Sequence, residues 1–345
     1  MDRQINSRLA LITIAILIIA VIVVFATPVG SFIVDEFKEL DIGWADDLEG
    51  AEINGKAPGL YKTETDTLIA SWNELVNKKA IFVEDGVVYT NYDGKSKNTS
   101  SDILAGDLVL PNNDTITSIG GFAYCRKLTG IAVPSSVTII TESAFNECNK
   151  LAVVTFAENS SLKSVESMAF RGCSALTAIN IPEGVLRIGD NAFLLCSSIS
   201  NITLPNSVTE IGEYAFSYCT MLGSIIIPEG VSAIADYLFF GDKNLESVTF
   251  HDKITSVGED AFFQCAALTT ITIPSSVISI SHNAFRDCSG LKAVTFKGTP
   301  ATIANTAFAN CTKVTVINVP WERQTVANAP WGAESATVRY TQPIN

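Results

Sequence analysis

Leu268-Thr-Thr-Ile-Thr-Ile-Pro-Ser-Ser-Val-Ile-Ser-Ile-Ser-His-Asn-Ala-Phe-Arg-Asp-Cys288 is one unit of a pattern that decides the fold. Its first part sets Leu268, Ile271 and Ile273 among threonines, and this alternation reads as a short strand buried on one side. Pro274 has no backbone donor and ends the strand. A second apolar pair, Val277 and Ile280, comes next, and Ala284-Phe285-Arg-Asp-Cys288 closes the unit.

Outward from this unit the same residues return. Phenylalanine stands at positions 122, 145, 170, 193, 216, 239, 262, 285 and 308, every interval being 23 residues except one of 25. Three residues after each Phe comes Cys125, Cys148, Cys173, Cys196, Cys219, Asp242, Cys265, Cys288 or Cys311, so all eight cysteines form one column. Eleven residues before it stands Pro111, Pro134, Pro182, Pro205, Pro228 or Pro274, with His251 and Lys297 as replacements. A fixed period of this length marks a solenoid, in which each coil cannot bury its apolar side alone and stacks on the next.

Composition bounds the function. A hydrophobic content of 47% supplies a continuous core, and a net charge of −13 argues against nucleic acid or an anionic membrane surface as partner. Residues 28–110 hold 16 acids against 7 bases, so the repeats are only mildly acidic. At the N terminus residues 9–25 carry no charge, and the run to residue 27 is long enough for one membrane-spanning helix. Arg3 and Arg8 precede it while Asp35, Glu36, Glu39 and Asp41 follow, which places the repeats outside the cytoplasm. A cleaved signal peptide is the competing reading, with Val24-Phe25-Ala26 as the cleavage site and a secreted product. Both readings export the array.

The expected organisation is a cytoplasmic tail at 1–8, a transmembrane helix or signal anchor at 9–27 and an acidic stalk at 28–60. An N-terminal cap follows at 61–104, then the solenoid at 105–320 and a C-terminal cap at 321–345. Within the first cap, Leu68, Ile69, Trp72, Leu75 and Val76 recur at helical spacing and predict a helix over 67–79. Residues 81–89 read as a hairpin turning at Asp85-Gly86. After Pro320 the beat is expected to stop, leaving Trp321, Trp331, Val338 and Tyr340 to close the far end.

Sites with chemistry are sparse. The cysteines have no C-x-x-C pairs for a metal. Export permits disulfides, but Asp242 divides the column into five and three, both odd, and parallel side chains suit a bridge poorly. Buried thiols acting as small hydrophobes are the expected role. His251 and His282 read as surface turn residues. Asp93-Gly-Lys-Ser96 imitates the end of a phosphate-binding loop, yet Tyr89 occupies the place of its first glycine. Asp41, Asp46, Asp47, Glu49 and Glu52 lack the pattern of a calcium loop and read as a solvated stalk. No catalytic residue, cofactor or metal is expected.

What remains for function is surface. One residue per strand points outward between the last two buried positions: Ala132, Thr155, Asn180, Thr203, Ile226, Thr249, Thr272, Thr295 and Asn318. Threonine suits an exposed strand position with or without a ligand. The same ladder also makes the broad, shallow face on which solenoids hold extended partners. Thr203, Ile226, Thr249, Thr272 and Thr295 are the candidate ligand contacts, centred on the one large apolar member.

The recurring apolar, proline, Val, Ile, Ala-Phe and Cys positions resemble the BspA-type leucine-rich repeat of bacterial surface proteins, over about residues 105 to 320. The resemblance implies a right-handed solenoid displayed outside the cell, in a family associated with adhesion to host proteins and other bacteria. The expected fold class is an α/β solenoid, a leucine-rich repeat array of about nine coils with an N-terminal transmembrane helix and small caps. Local departures are Asp242 for Cys, Leu238 for Ala, and two extra residues near 158–161. The functional expectation is a monomeric, membrane-anchored adhesin for extracellular protein or glycan. An envelope scaffold binding a partner of its own cell is the alternative, and a wall or glycan hydrolase a remote one.

Overall fold

The computed structural model describes residues 60–62, 68–71, 81–84, 86–90, 104, 106–110, 114, 116–323 and 325–340. Over these the chain winds as a parallel β-solenoid, each coil contributing to three ladders. On the first, strands such as Ser224–Ile226 and Ser247–Thr249 pair in parallel with Ile226 opposite Thr249, and Thr270–Ile273 pairs likewise with Ala293–Phe296. On the second, two-residue strands such as Arg187–Ile188 and Glu210–Ile211 pair in the same sense. Leu, Ile and Val point inward from both, and the Phe column lies between them and the third side, all nine rings being fully buried.

The third ladder is made by the Ala-Phe-x-x-Cys segment. In most coils the residue two before Phe and the residue two after it both take left-handed backbone. Tyr237 (φ 59°) and Gly241 (φ 79°) flank Phe239, and Asp260 (φ 49°) and Gln264 (φ 59°) flank Phe262. That conformation costs an L residue roughly 1–2 kcal/mol. It turns alternate N–H groups along the solenoid axis, where Phe239 N donates to Ala261 O at 2.8 Å and Phe262 N to Ala284 O at 2.8 Å. The bonds between coils offset the local strain, so the turn exists only in the stack.

The two extra residues are placed by register. Val133 pairs with Phe156, which keeps the ordinary interval, whereas Ile140 pairs with Val165, two positions beyond it. The insertion therefore lies between Phe156 and Ser164; the short-strand ladder runs through it, whereas strand pairing on the long-strand side is interrupted between Val153–Phe156 and Ala178–Asn180.

Three expectations are corrected. Every regular element among the described residues is a strand, so the array is all-β and not α/β. The helix expected over 67–79 is contradicted at Leu68–Ser71, a strand antiparallel to Leu60–Lys62. Leu60–Lys62 in turn pairs with Gly106–Val109, the first long strand, whose open edge needs hydrogen-bond partners. That requirement overrides the helical spacing. The beat also does not stop at Pro320: Thr337–Tyr340 pairs in parallel with Val316–Val319, and Trp331, one full interval after Phe308, accepts Phe308 N at 2.9 Å. The tail is a tenth turn, with buried Trp331 donating from Nε1 to Ala327 O at 2.7 Å.

The hairpin forms where expected. Ile81–Glu84 and Val87–Thr90 are antiparallel about Gly86 (φ 78°), and Val87–Thr90 continues the second ladder against Ser118–Ile119. The segment at 9–27, all but the last residue of the stalk at 28–60 and the loop at 93–96 lie outside the described residues. Among the described residues no helix is long and apolar enough to cross a membrane.

Candidate functional site

Thr203, Ile226, Thr249, Thr272 and Thr295 recur at the 23-residue interval on the long-strand side, where parallel pairing sets Ile226 opposite Thr249 and Thr272 opposite Thr295. Thr203, Thr249 and Thr272 are exposed, and Ile226 is 71% exposed. Thr295 is half-buried, its Oγ1 accepting from Asn318 Nδ2 at 3.3 Å. A second outward file holds Asn201, Ser224, Ser247 and Thr270, all exposed. No charged side chain occurs in either file over these four coils, so the face is flat, neutral and centred on one isoleucine.

The cysteine column is structural, and its hydrogen bonds say why it is cysteine. All eight cysteines are buried and none is in a disulfide. Where the column holds cysteine, its N–H donates to the Phe carbonyl of its own coil, and from Cys148 onward its thiol adds a second donor to the Phe carbonyl of the coil before: Cys196 Sγ to Phe170 O at 3.0 Å, Cys288 Sγ to Phe262 O at 3.1 Å. Cysteine is small and apolar enough for the core and still donates. Burial holds the Cys196 and Cys288 thiols well above their ordinary pKa. Asp242 occupies the same column, fully buried, with no hydrogen-bond partner for either carboxyl oxygen among the described residues. Burial likewise pushes its carboxyl well up.

The histidines sit in turns. His251 donates from Nε2 to Pro228 O at 2.8 Å and accepts Lys253 N at Nδ1 at 3.2 Å, which places the ring proton on Nε2. His282 lies 3.3 Å from Thr306 Oγ1. Among the described residues no group of three His, Cys, Asp or Glu side chains is placed to hold a metal ion.

Sequence reasoning missed a second surface, on the turn side. Tyr214 and Tyr237 stack at 4.4 Å, Phe240 and Phe263 at 4.6 Å, and Tyr218 meets Phe240 edge-on at 5.5 Å. Arg286 Cζ closes the row 5.7 Å from the Phe263 ring. All five rings are partly or fully exposed. Glu213, Asp236, Glu259 and Asp260 border them, and partial burial followed by these carboxylates raises the Tyr214 and Tyr237 phenols. A signal was present, since 214 and 237, like 240 and 263, stand one repeat interval apart. Reading the variable columns for recurring aromatics would have found it.

The model of the BspA-type leucine-rich repeat region matches residues 115–242 and 209–330, in six copies. No curated protein sequence matches the chain. Among solved structures, the chain is similar to a leucine-rich repeat protein of T. pallidum, 30% identical over 55% of this chain and 86% of that one, with a TM-score of 0.46. A leucine-rich repeat protein of Eubacterium ventriosum is 21% identical, covering 76% of this chain and 82% of that one at a TM-score of 0.43. A leucine-rich cell surface protein of Faecalibacterium prausnitzii is 22% identical over 69% and 92%, at 0.28. With the family model running almost unbroken from the first Phe of the column to the tenth turn, the chain belongs to the BspA-type leucine-rich repeat family.

Proposed function

We propose that this chain is a membrane-anchored binding protein of the cell exterior, an adhesin that meets a host or bacterial protein or glycan on its long-strand face. The observation that carries the reading is that face: two outward files without a charged side chain over four coils, with Ile226 71% exposed among them. A flat neutral surface costs little to desolvate and suits an extended partner. The apolar segment at 9–27 and the basic residues before it support anchoring with the array outside. Thr203, Ile226, Thr249 and Thr272 are the contacts; Thr295, already bonded to Asn318, is the weakest of the five. The test is binding of the full chain in detergent to immobilised matrix proteins, mucins and bacterial cells, beside an Ile226→Ser variant. Capture by at least one surface, reduced in the variant, is expected; equal capture of both would remove the sheet face from the reading.

An envelope scaffold is favoured by one observation. The stalk at 28–60 reaches at most ~115 Å when extended at ~3.5 Å per residue, short of a thick wall. Protease shaving of intact cells separates the two: repeat peptides released from whole cells support the adhesin, and release only after the envelope is breached supports the scaffold.

A further inference from the structure

The turn side of the middle coils carries what the long-strand side lacks. Residues 206–265 contain nine acids and two lysines, a charge of −7, while residues 111–345 together carry −5. The rest of the array is thus slightly basic, and its negative charge is gathered in the coils that bear Tyr214, Tyr218, Tyr237, Phe240 and Phe263. We propose that this acidic aromatic stripe docks a positively charged segment of a protein partner, its lysines or arginines reaching the carboxylates while their aliphatic stems lie along the rings.

Three observations support that choice of occupant. The rings are already stacked, so they present contact area with little rotamer entropy left to lose on binding. Arg286 rests on the Phe263 face, so the end of the ring stack already accepts a guanidinium from this chain. Charge excludes the simplest alternative, because a second copy meeting this face with its own would set Glu213, Asp236, Glu259 and Asp260 against the same four carboxylates. The stacked rings also spend faces on one another, whereas a sugar ring needs an open aromatic face.

The inference rests on the reading of the array as a binding protein, but not on the long-strand face being its contact. The test uses the full chain in detergent and fluorescence anisotropy with three labelled probes: a short peptide alternating lysine and glycine, its glutamate counterpart, and a neutral N-acetylglucosamine oligomer. The lysine peptide is expected to bind and to weaken as salt rises, and the other two are not. Tyr214→Asn with Tyr237→Asn installs the residue that the same left-handed column carries at Asn191 and Asn283, so the fold is kept. This pair should weaken the peptide at least tenfold, as should Glu213→Gln with Asp236→Asn and Glu259→Gln, while Ile226→Ser leaves it unchanged. Should the tyrosine pair fail to fold, the charge variant carries the test alone. No binding of the lysine peptide, binding indifferent to the rings or to the charges, loss in Ile226→Ser, or preference for the saccharide would each overturn the proposal. Failure here with capture intact at the sheet face would leave the adhesin reading standing.

Discussion

Between Phe216 and Phe239 the ring centroids are 5.9 Å apart, the widest step in the column; between Phe262 and Phe285 they are 4.9 Å apart, the narrowest. The backbone follows the rings. Phe216 N reaches Leu238 O at 3.1 Å and Tyr214 N reaches Asp236 O at 3.2 Å, while Phe262 N reaches Ala284 O at 2.8 Å. Among the described residues the short-strand ladder also breaks between Glu210–Ile211 and Ala233–Ile234, and nowhere else. Two substitutions account for the difference. Leu238 stands where the tight step has Ala284, adding three carbons between coils, and Asp242 stands where the tight step has a thiol. A solenoid is nearly a sum of coil and interface terms, so one poor interface stays local, and the array on either side keeps its register. Outside this loose step, Tyr214 on Tyr237 and Tyr218 on Phe240 bridge the two coils from the surface.

The largest effects come from the column itself. Phe285→Ala removes a ring from the tight step and should cost ~5 kcal/mol, whereas Phe216→Ala, beside the loose step, should cost ~3 kcal/mol because its surroundings collapse more readily. Urea denaturation of both variants checks this, and equal losses would mean the two steps are equally rigid.

Asp242→Cys restores the column and should stabilise the protein by about 1–3 kcal/mol at neutral pH, the cost of a buried polar group left unpaired. The pH dependence has a definite sign. The folded carboxyl binds its proton more tightly than the unfolded one, so the native protein is favoured below the unfolded carboxylate pKa and loses stability as pH rises through the folded value. Cys219 and Cys265, the ionisable groups on either side in the column, are themselves raised by burial and stay neutral over that range. The advantage of Asp242→Cys over the parent should therefore shrink as melting curves are taken from neutral pH into the acid range; a constant difference would place the carboxyl outside the core.

Cys288→Ala tests the thiol as a donor. It deletes one hydrogen bond to Phe262 O and little volume, for an expected loss of ~1 kcal/mol in chemical denaturation. Thr295→Ala, on the long-strand face, should stay within ~0.5 kcal/mol, losing only its contact with Asn318.

Much of this was legible in the chain because burial is repetitive. Positions that face the core meet the same neighbours in every coil, so Phe, Cys, Ile and Val recur at one spacing, and Asp242 and Leu238 stand out as departures before any coordinate is seen. The left-handed turns were not legible. Tyr237, Leu195 and Gln264 are poor left-handed residues on their own and adopt φ of 59°, 64° and 59° only because the adjacent coil supplies a carbonyl for each N–H freed by the turn. Leu68–Ser71 misled for a related reason: its helical spacing is local, while the strand edge it helps to cover is made by residues 106–109.

By itself the sequence determined the solenoid, its period, its buried columns and the outward file at Thr203, Ile226 and Thr249, because each follows from a repeat that must bury one side against its own copy. Only the tertiary structure decided that the array is all-β, that a tenth turn closes on Trp331, that thiols serve the Phe carbonyls, and that four aromatic rings meet over the loosest step. Those features depend on distances between neighbouring coils, and a spacing along one chain does not contain them.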